Sequence, residues 1–290
     1  MTNAPPSPAA RRLAAPPPTK ITAPAPVPAE GGQRPPSGRF AVLSGRLDSA
    51  KRVLVYGPGG VGKSTLAALA PNPIVLDVEG STKGLEVARI LDGIETWQGL
   101  RECLQSDVLD GYSTIVIDSV TKAEEMAVAH TLLTVPNDRG QRMRSLPEYG
   151  FGKGERHLYD TFLHLLMDLD RHVRAGRNVV LVAHVCTTPV PNPMSDDWIQ
   201  YQPRLQTTKK GDSSIRERTF EWCDHVIFVG FDVAVGDDGK GIGEGTRTIW
   251  TSERPTHRAK VRGVQQEIEP RPFETTRDNS IWPLLLGGAR

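Results

Sequence analysis

From Phe40 onward, short apolar runs alternate with segments whose apolar residues recur at helical spacing. Runs rich in β-branched residues predict strands at 52–56, 73–78, 114–117, 178–183 and 225–230. The clearest helix is predicted over 155–175, because six apolar residues share one face and Gly176 supplies a C-terminal stop. Unbroken apolar strands separated by helices are typical of a parallel sheet that is covered on both faces.

The pattern changes after Gly230. Stretches at 232–235 and 246–251 flank a turn at 237–241 and predict an antiparallel hairpin at the sheet edge. We therefore predict an α/β fold with a mostly parallel sheet, helices on both faces and this edge hairpin. The predicted domain spans 39–265, and the segment 266–290 is expected to pack on the core or on a partner.

Proline and charge set the N-terminal region apart. Eleven of the 24 prolines lie between Pro5 and Pro36, which predicts a disordered tail over 1–38. Residues 1–39 hold five basic side chains and one acidic one, whereas the remainder is slightly acidic. The tail is either a solvated linker or a basic arm that contacts DNA or a partner. Any nucleic-acid binding must come from this tail or from local loops, since the domain lacks bulk positive charge.

Hydropathy and cysteine usage exclude other classes. No stretch approaches the roughly 18 uninterrupted apolar residues of a membrane span. The three cysteines are far apart and form no CxxC pair, which argues against a disulfide framework and a zinc site. The N-terminus lacks the apolar region of a signal peptide. A reducing cytoplasm is therefore the expected location.

The strongest chemical signal is a complete GxxxxGK[ST] pattern between an apolar strand and a helix. Its glycines let backbone N–H groups surround a phosphate that a side chain would keep out. The lysine reaches the β- and γ-phosphates, and the next hydroxyl binds Mg²⁺. Because no guanine-reading NKxD motif is present, ATP is favoured. The predicted nucleotide-binding residues are Gly57, Pro58, Gly59, Gly60, Val61, Gly62, Lys63, Ser64 and Thr65.

Three polar residues that follow other apolar strands complete the candidate site. Asp118 is placed to hold Mg²⁺ opposite Ser64, with capping of the next helix as its alternative role. Glu79, one strand over, is placed to orient or deprotonate the attacking water, unless it is a solvated loop acid. His184 is placed to sense the γ-phosphate, and a structural role is its alternative.

A resemblance to the RecA-like P-loop ATPases rests on YGPGGVGKST, IVLDVEG, IVIDS, VVLVAH and the late AKVR. It covers about residues 52–262 and points to the phage-type AAA-family proteins of the single-strand-annealing and recombination group. The resemblance implies that Glu79 is the catalytic glutamate and that His184, a glutamine in RecA, links the nucleotide to DNA. It also implies that Lys260 and Arg262 reach the nucleotide of a neighbouring subunit. A homo-oligomer with ATP at subunit interfaces, in a bacterial or phage-infected cell, is therefore expected.

The same resemblance implies two loops that contact single-stranded DNA. Basic side chains would neutralise phosphates while aromatic rings stack on bases. Both loops also carry acidic residues, so a flexible solvated loop is the alternative for each. The candidates are the loop at 136–154, with Arg139, Arg142, Arg144 and Lys153, and the loop at 186–213, with Trp198, Tyr201, Arg204, Lys209 and Lys210.

The leading hypothesis is a DNA-stimulated ATPase that binds single strands and supports annealing or recombination. A small-molecule or nucleoside kinase is one alternative, although the late Lys-x-Arg after the hairpin argues against it. A nucleotide-gated binding module with little turnover is the other.

Overall fold

The computed structural model describes residues 49–192, 194, 196–208, 213–235, 241–264, 268–274 and 276–287. The predicted tail at 1–38 lies outside these residues, as do Lys209, Lys210 and most of the predicted turn at 237–241. In this described part, no helix combines the length and the apolar character needed to cross a bilayer.

A mixed sheet of nine strands lies at the centre of the described chain, and two further strands form a separate hairpin. The strands are β1 (Arg52–Tyr56), β2 (Pro73–Asp77), β3 (Ala88–Ile90), β4 (Thr114–Asp118), β5 (Asn178–Ala183), β6 (Val185–Val190), β7 (Trp198–Pro203), β8 (His225–Val235), β9 (Gly241–Trp250), β10 (Lys260–Val261) and β11 (Arg271–Pro272). The parallel part has the order β8-β1-β5-β4-β2-β3. Antiparallel β9 and β10 pair with β8, and β11 pairs with β9.

The helices lie between these strands or after them. They are α1 (Lys63–Ala68), α2 (Trp97–Gln105), α3 (Val120–Thr134), α4 (Lys153–Arg174), α5 (Ile215–Trp222) and α6 (Ile281–Leu286), with a 3-10 helix at Leu146–Tyr149. Ser119 caps α3, because its hydroxyl accepts a hydrogen bond from the backbone N–H of Lys122. The next helix, α4, begins two residues before the predicted start of the 155–175 helix.

Alternating residues of the central strands divide the core into two apolar clusters. On β1, Leu54 and Tyr56 belong to the cluster that includes α2, α3 and α4. Val53 and Val55 belong to the cluster that includes α1 and α6. Because both faces are covered, these strands are continuous apolar runs, which is the pattern that identified them in the sequence.

The predicted fold class is confirmed: a mostly parallel sheet carries helices on both faces and an antiparallel edge hairpin of β8 and β9. The region 186–213, predicted as one long loop, instead contains most of β6 and all of β7, paired over Val185–Val190 and Trp198–Pro203. This hairpin forms a second small sheet on the described chain, at the end of β5.

Candidate functional site

The glycine-rich loop joins β1 to α1 in a conformation that requires glycine. A Cβ atom at Gly57 would lie 2.0 Å from the carbonyl oxygen of Val229 on β8. Gly62 has a φ of 99°, in the left-handed region, and immediately precedes α1. The loop therefore passes close to a neighbouring strand and leaves its backbone N–H groups at the start of a helix without a side-chain cap.

Lys63 and Ser64 point toward acidic residues. The Lys63 side chain is buried, and its Nζ donates a 2.8 Å hydrogen bond to the carbonyl of Pro58. Burial lowers the pKa of Lys63, while the nearby charges of Asp118 and Glu79 partly offset that effect. Burial raises the pKa of Asp118, and the hydroxyl of Ser64 donates to its carboxylate. A lysine, a serine hydroxyl and a carboxylate thus meet at the carboxyl end of the sheet.

Asp118 and Asp77 end neighbouring parallel strands. They are direct register partners on β4 and β2, so both lie at the carboxyl end of the sheet. Ser81 lies 3.4 Å from Asp118, Oγ to Oδ2. β5 separates the Asp118 strand from the P-loop strand, which leaves a crevice between the loops that follow them.

The turn after β2 positions Glu79. The buried Asp77 carboxylate accepts hydrogen bonds from the Thr82 backbone N–H at 2.8 Å, the Thr82 hydroxyl at 2.6 Å and the Ser81 N–H at 3.0 Å. Burial alone would raise the pKa of Asp77, but these hydrogen bonds outweigh it and hold the pKa below its ordinary value. The carboxylate therefore closes the turn from 77 to 82, and Glu79 lies within it.

Glu79 contacts two residues on adjacent strand ends. Its Oε1 accepts a hydrogen bond from the hydroxyl of Ser119 and lies 2.9 Å from Nε2 of His184. The backbone N–H of His184 donates to the hydroxyl of Thr121 at 3.0 Å. The fold thus brings together Lys63, Ser64, Glu79, Asp118 and His184, which come from four separate parts of the sequence.

Lys260 and Arg262 lie apart from this group. The Lys260 ammonium lies 4.5 Å from the ring centroid of Phe220, and burial lowers its pKa. Arg262 follows β10, and its backbone N–H lies 3.4 Å from Nδ1 of His225. Among the described residues, neither side chain forms a hydrogen bond or ion pair with the P-loop, so their part in a neighbouring site stays a prediction.

Two residues that the sequence did not single out contact the P-loop from outside. Arg247 on β9 donates to the carbonyl of Val61 at 3.3 Å, and its guanidinium lies 5.0 Å from the ring centroid of Phe273. A Cβ atom at Gly62 would lie 2.8 Å from this ring and 3.0 Å from Nη1 of Arg247. Since these contacts join segments about 190 residues apart or more, no local motif could have revealed them.

The first predicted DNA loop is exposed. Arg139, Arg142 and Arg144 are exposed, whereas Lys153 forms an ion pair with Asp138. Phe151, which sequence reasoning overlooked, is completely exposed between two glycines.

The second predicted DNA region is partly ordered by β6 and β7. Tyr201 stacks on Phe228 of the main sheet with centroids 5.5 Å apart, yet remains 41% exposed. Trp198 is half-buried, and Arg204 is exposed near Glu125, at 3.9 Å. The hairpin begins directly after His184, so it is continuous with the candidate site.

Comparisons with known proteins agree with the P-loop. A family model described as AAA_24, AAA domain, matches residues 49–263. No significant match to a curated protein was found. A KaiC-like protein from the archaeon Pyrococcus horikoshii OT3 is similar at 14% identity and a TM-score of 0.43, over 79% of this chain and 88% of that one. The RadB recombinase is similar at 16% identity and a TM-score of 0.39, over 79% and 90%. At these scores neither structure informs the activity of this chain.

Proposed function

Since the chain belongs to the AAA_24 family of AAA domains, we propose that its P-loop binds ATP with Mg²⁺ and hydrolyses it, and that single-stranded DNA stimulates this hydrolysis. The observation that carries the proposal is the convergence of buried Lys63 with Ser64, Asp118 and Glu79 at one sheet edge. These groups fit a magnesium–nucleotide complex. The lysine and the uncapped backbone N–H groups at the start of α1 attract phosphate, and hydroxyl and carboxylate oxygens are suitable ligands for Mg²⁺.

Each residue has a defined task in this proposal. Lys63 exchanges its bond to the Pro58 carbonyl for the β- and γ-phosphates. Ser64 and Asp118 hold Mg²⁺, which neutralises charge on the phosphate oxygens when bound. Glu79 orients the attacking water and accepts its proton. His184 contacts Glu79 and immediately precedes the β6–β7 hairpin, which makes it the link between the nucleotide and that hairpin.

DNA is proposed as the polymer because both exposed regions combine cations with aromatic rings. The first region carries three exposed arginines and the exposed ring of Phe151, and the second carries Tyr201 and the exposed Arg204. Such combinations suit single strands, whose bases offer stacking faces and whose phosphates attract cations. Strand annealing or recombination is the process that we propose for this activity.

A homo-oligomer with ATP at the subunit interfaces is part of the proposal. Lys260 and Arg262 are then the groups that reach the neighbouring nucleotide. For Lys260 this requires that its ammonium leave the Phe220 ring, where it lies in the isolated chain.

A nucleotide-gated binding module with little turnover is the second candidate. The observation that favours it is the engagement of Glu79 by Ser119 and His184, since a carboxylate held by two partners is not free to activate water. Binding of ATP without release of phosphate would favour this candidate.

Phosphate release from ATP with Mg²⁺, measured with and without oligothymidylate, tests the proposal. Turnover should rise with DNA and disappear in Lys63→Ala, whereas the matched variant Lys83→Ala, an exposed lysine outside the P-loop, should behave as wild type. Turnover in Lys63→Ala, or turnover that DNA leaves unchanged, contradicts the proposal. Transfer of phosphate to an added nucleoside would identify a kinase instead.

A further inference from the structure

Phe151 is the most exposed large apolar side chain in the described chain, with a relative exposure of 105%. It lies between the 3-10 helix and α4, flanked by Gly150 and Gly152. Burial of a phenyl ring stabilises a protein, so a fully exposed one contributes no packing energy to this chain. The ring is therefore available to another molecule.

The backbone holds this ring outward. Phe151 has a φ of 51°, and Gly150 and Gly152 have φ values of 72° and 75°. A positive φ is uncommon for a residue other than glycine, and for a bulky side chain it is costly unless neighbouring structure enforces it. Gly150 and Gly152 also have positive φ, so the three residues form a turn that holds Phe151 in this conformation.

Hydrogen bonds order the loop around Phe151. The Tyr149 hydroxyl donates to the carbonyl of Val135 at 2.5 Å, and the Lys153 N–H donates to the Gly150 carbonyl at 3.0 Å. The side-chain oxygen of Asn137 accepts from two backbone N–H groups, both at 2.9 Å. The exposed ring thus projects from a loop with fixed internal bonds.

Cationic side chains lie in the same loop as Phe151. An ion pair between Lys153 and Asp138 joins the start of α4, two residues after Phe151, to the turn that carries Arg139. Arg142 and Arg144 follow, and the described residues offer no ion-pair partner to these three guanidinium groups. The acidic groups of the loop are engaged, since Asp138 pairs with Lys153 and Glu148 accepts the backbone N–H of Arg144.

We infer that Phe151 stacks on a base of single-stranded DNA while the exposed arginines of the same loop bind adjacent phosphates. The inference rests on the proposed function and names the contact that performs its DNA binding. An apolar pocket of a protein would also accept a phenyl ring, but it has no anionic groups to pair with the three arginines. A single strand provides both a flat aromatic face and closely spaced anions.

Binding of the full chain, with ATP and Mg²⁺, to two fluorescent strands tests the inference. One strand is oligothymidylate, and the other has the same length and sugar–phosphate backbone but no bases. Phe151→Ala should weaken binding to oligothymidylate about tenfold and leave binding to the abasic strand unchanged, because stacking needs a base. Phe151→Trp should retain binding. Met167→Ala, which removes an exposed apolar side chain from α4, should match wild type on both strands.

Arg142→Ala tests the phosphate contacts. It should weaken binding to both strands alike and reduce the salt dependence by about one charge, whereas Phe151→Ala should leave the salt dependence unchanged.

The outcomes separate this inference from the proposed function. If the wild-type chain binds neither strand, the proposed DNA binding is wrong, and so is the inferred contact of Phe151. If wild type binds oligothymidylate and Phe151→Ala binds equally well, only the contact is wrong. Equal weakening on both strands, or a change in sedimentation of Phe151→Ala without DNA, would assign the ring to folding or to a second copy of the chain and overturn the inference.

Discussion

Three acidic residues near the P-loop differ in what holds them. Asp118 accepts from Ser64, Asp77 accepts three hydrogen bonds from the turn that follows it, and Glu79 meets Ser119 and His184. The Asp77 carboxylate accepts its three hydrogen bonds from the turn that carries Glu79, so it holds that turn in place. Its contacts make it a positioning residue for Glu79.

Asp77→Asn and Thr82→Val should each lower kcat about tenfold and leave KM for ATP nearly unchanged, because a loosened turn misplaces Glu79 without touching the phosphate loop. Steady-state phosphate release measures both constants. Thr82→Ser keeps the hydroxyl and should restore kcat, and the exposed Asp92→Asn should have no effect. An equal kcat in Asp77→Asn and wild type would show that the turn does not position the carboxylate.

At the scale of elements, the C-terminal segment packs against the phosphate-binding helix. The Trp282 indole N–H donates to the carbonyl of Leu66 on α1 at 3.0 Å, and the ring is buried with Phe273 and Ile281 in one cluster. α6 therefore supports α1, whose first residues are Lys63 and Ser64.

Trp282→Ala should lower the free energy of unfolding by about 3–5 kcal/mol, since it leaves a large cavity beside α1. The matched variant Leu284→Ala, from the exposed side of α6, should cost less than about 1 kcal/mol. Urea unfolding of both variants checks the difference. Similar costs for the two would mean that α6 does not pack on the core in solution.

Local sequence patterns, such as apolar runs and helical periodicity, predicted most of the architecture. The central strands are buried on both faces and therefore continuous in the sequence, and α4 shows one apolar face. The P-loop was predictable because its strand, glycines and helix follow one another directly. Glu79, Asp118 and His184 could be selected as candidates because each follows an apolar strand that could be recognised.

Contacts between distant segments could not be predicted in this way. The β6–β7 hairpin carries polar and half-buried residues, so its strands lack the apolar signal of the central sheet. Arg247 and Phe273 reach the P-loop only after β9 and β11 have joined the sheet edge. No sequence signal identified the role of Asp77, because that role depends on three hydrogen bonds that only the folded turn creates.

For the whole molecule, buried histidines make stability depend on pH. His257 stacks on Phe228 with centroids 4.8 Å apart, and burial lowers its pKa from 6.5 to about 4. Burial also lowers the pKa values of His172 and His225. Between about pH 6.5 and pH 4 the unfolded chain binds more protons at His257 than the folded chain does, so the folded state loses stability as pH falls through this range. Protonation of His172 and His225 acts in the same direction.

The lowered pKa of His257 should by itself reduce the free energy of unfolding by roughly 2 kcal/mol when the pH falls from 7.5 to 5. His257→Phe keeps an aromatic ring in the stack but cannot be protonated, so its loss over this range should be smaller by that amount. Urea unfolding at both pH values measures the change. The same pH dependence in the variant and in wild type would contradict protonation of His257 as its cause.

The central claim for the whole molecule is that the convergent residues hydrolyse ATP, with Glu79 activating the water. The decisive measurement is phosphate release by Glu79→Gln at saturating ATP and Mg²⁺, with ATP binding measured on the same samples. The glutamine keeps the size of the side chain but cannot accept a proton. Turnover should fall about 100-fold or more while ATP affinity stays within about twofold of wild type. Wild-type turnover in Glu79→Gln would contradict the assignment of Glu79 and with it the proposed route of hydrolysis.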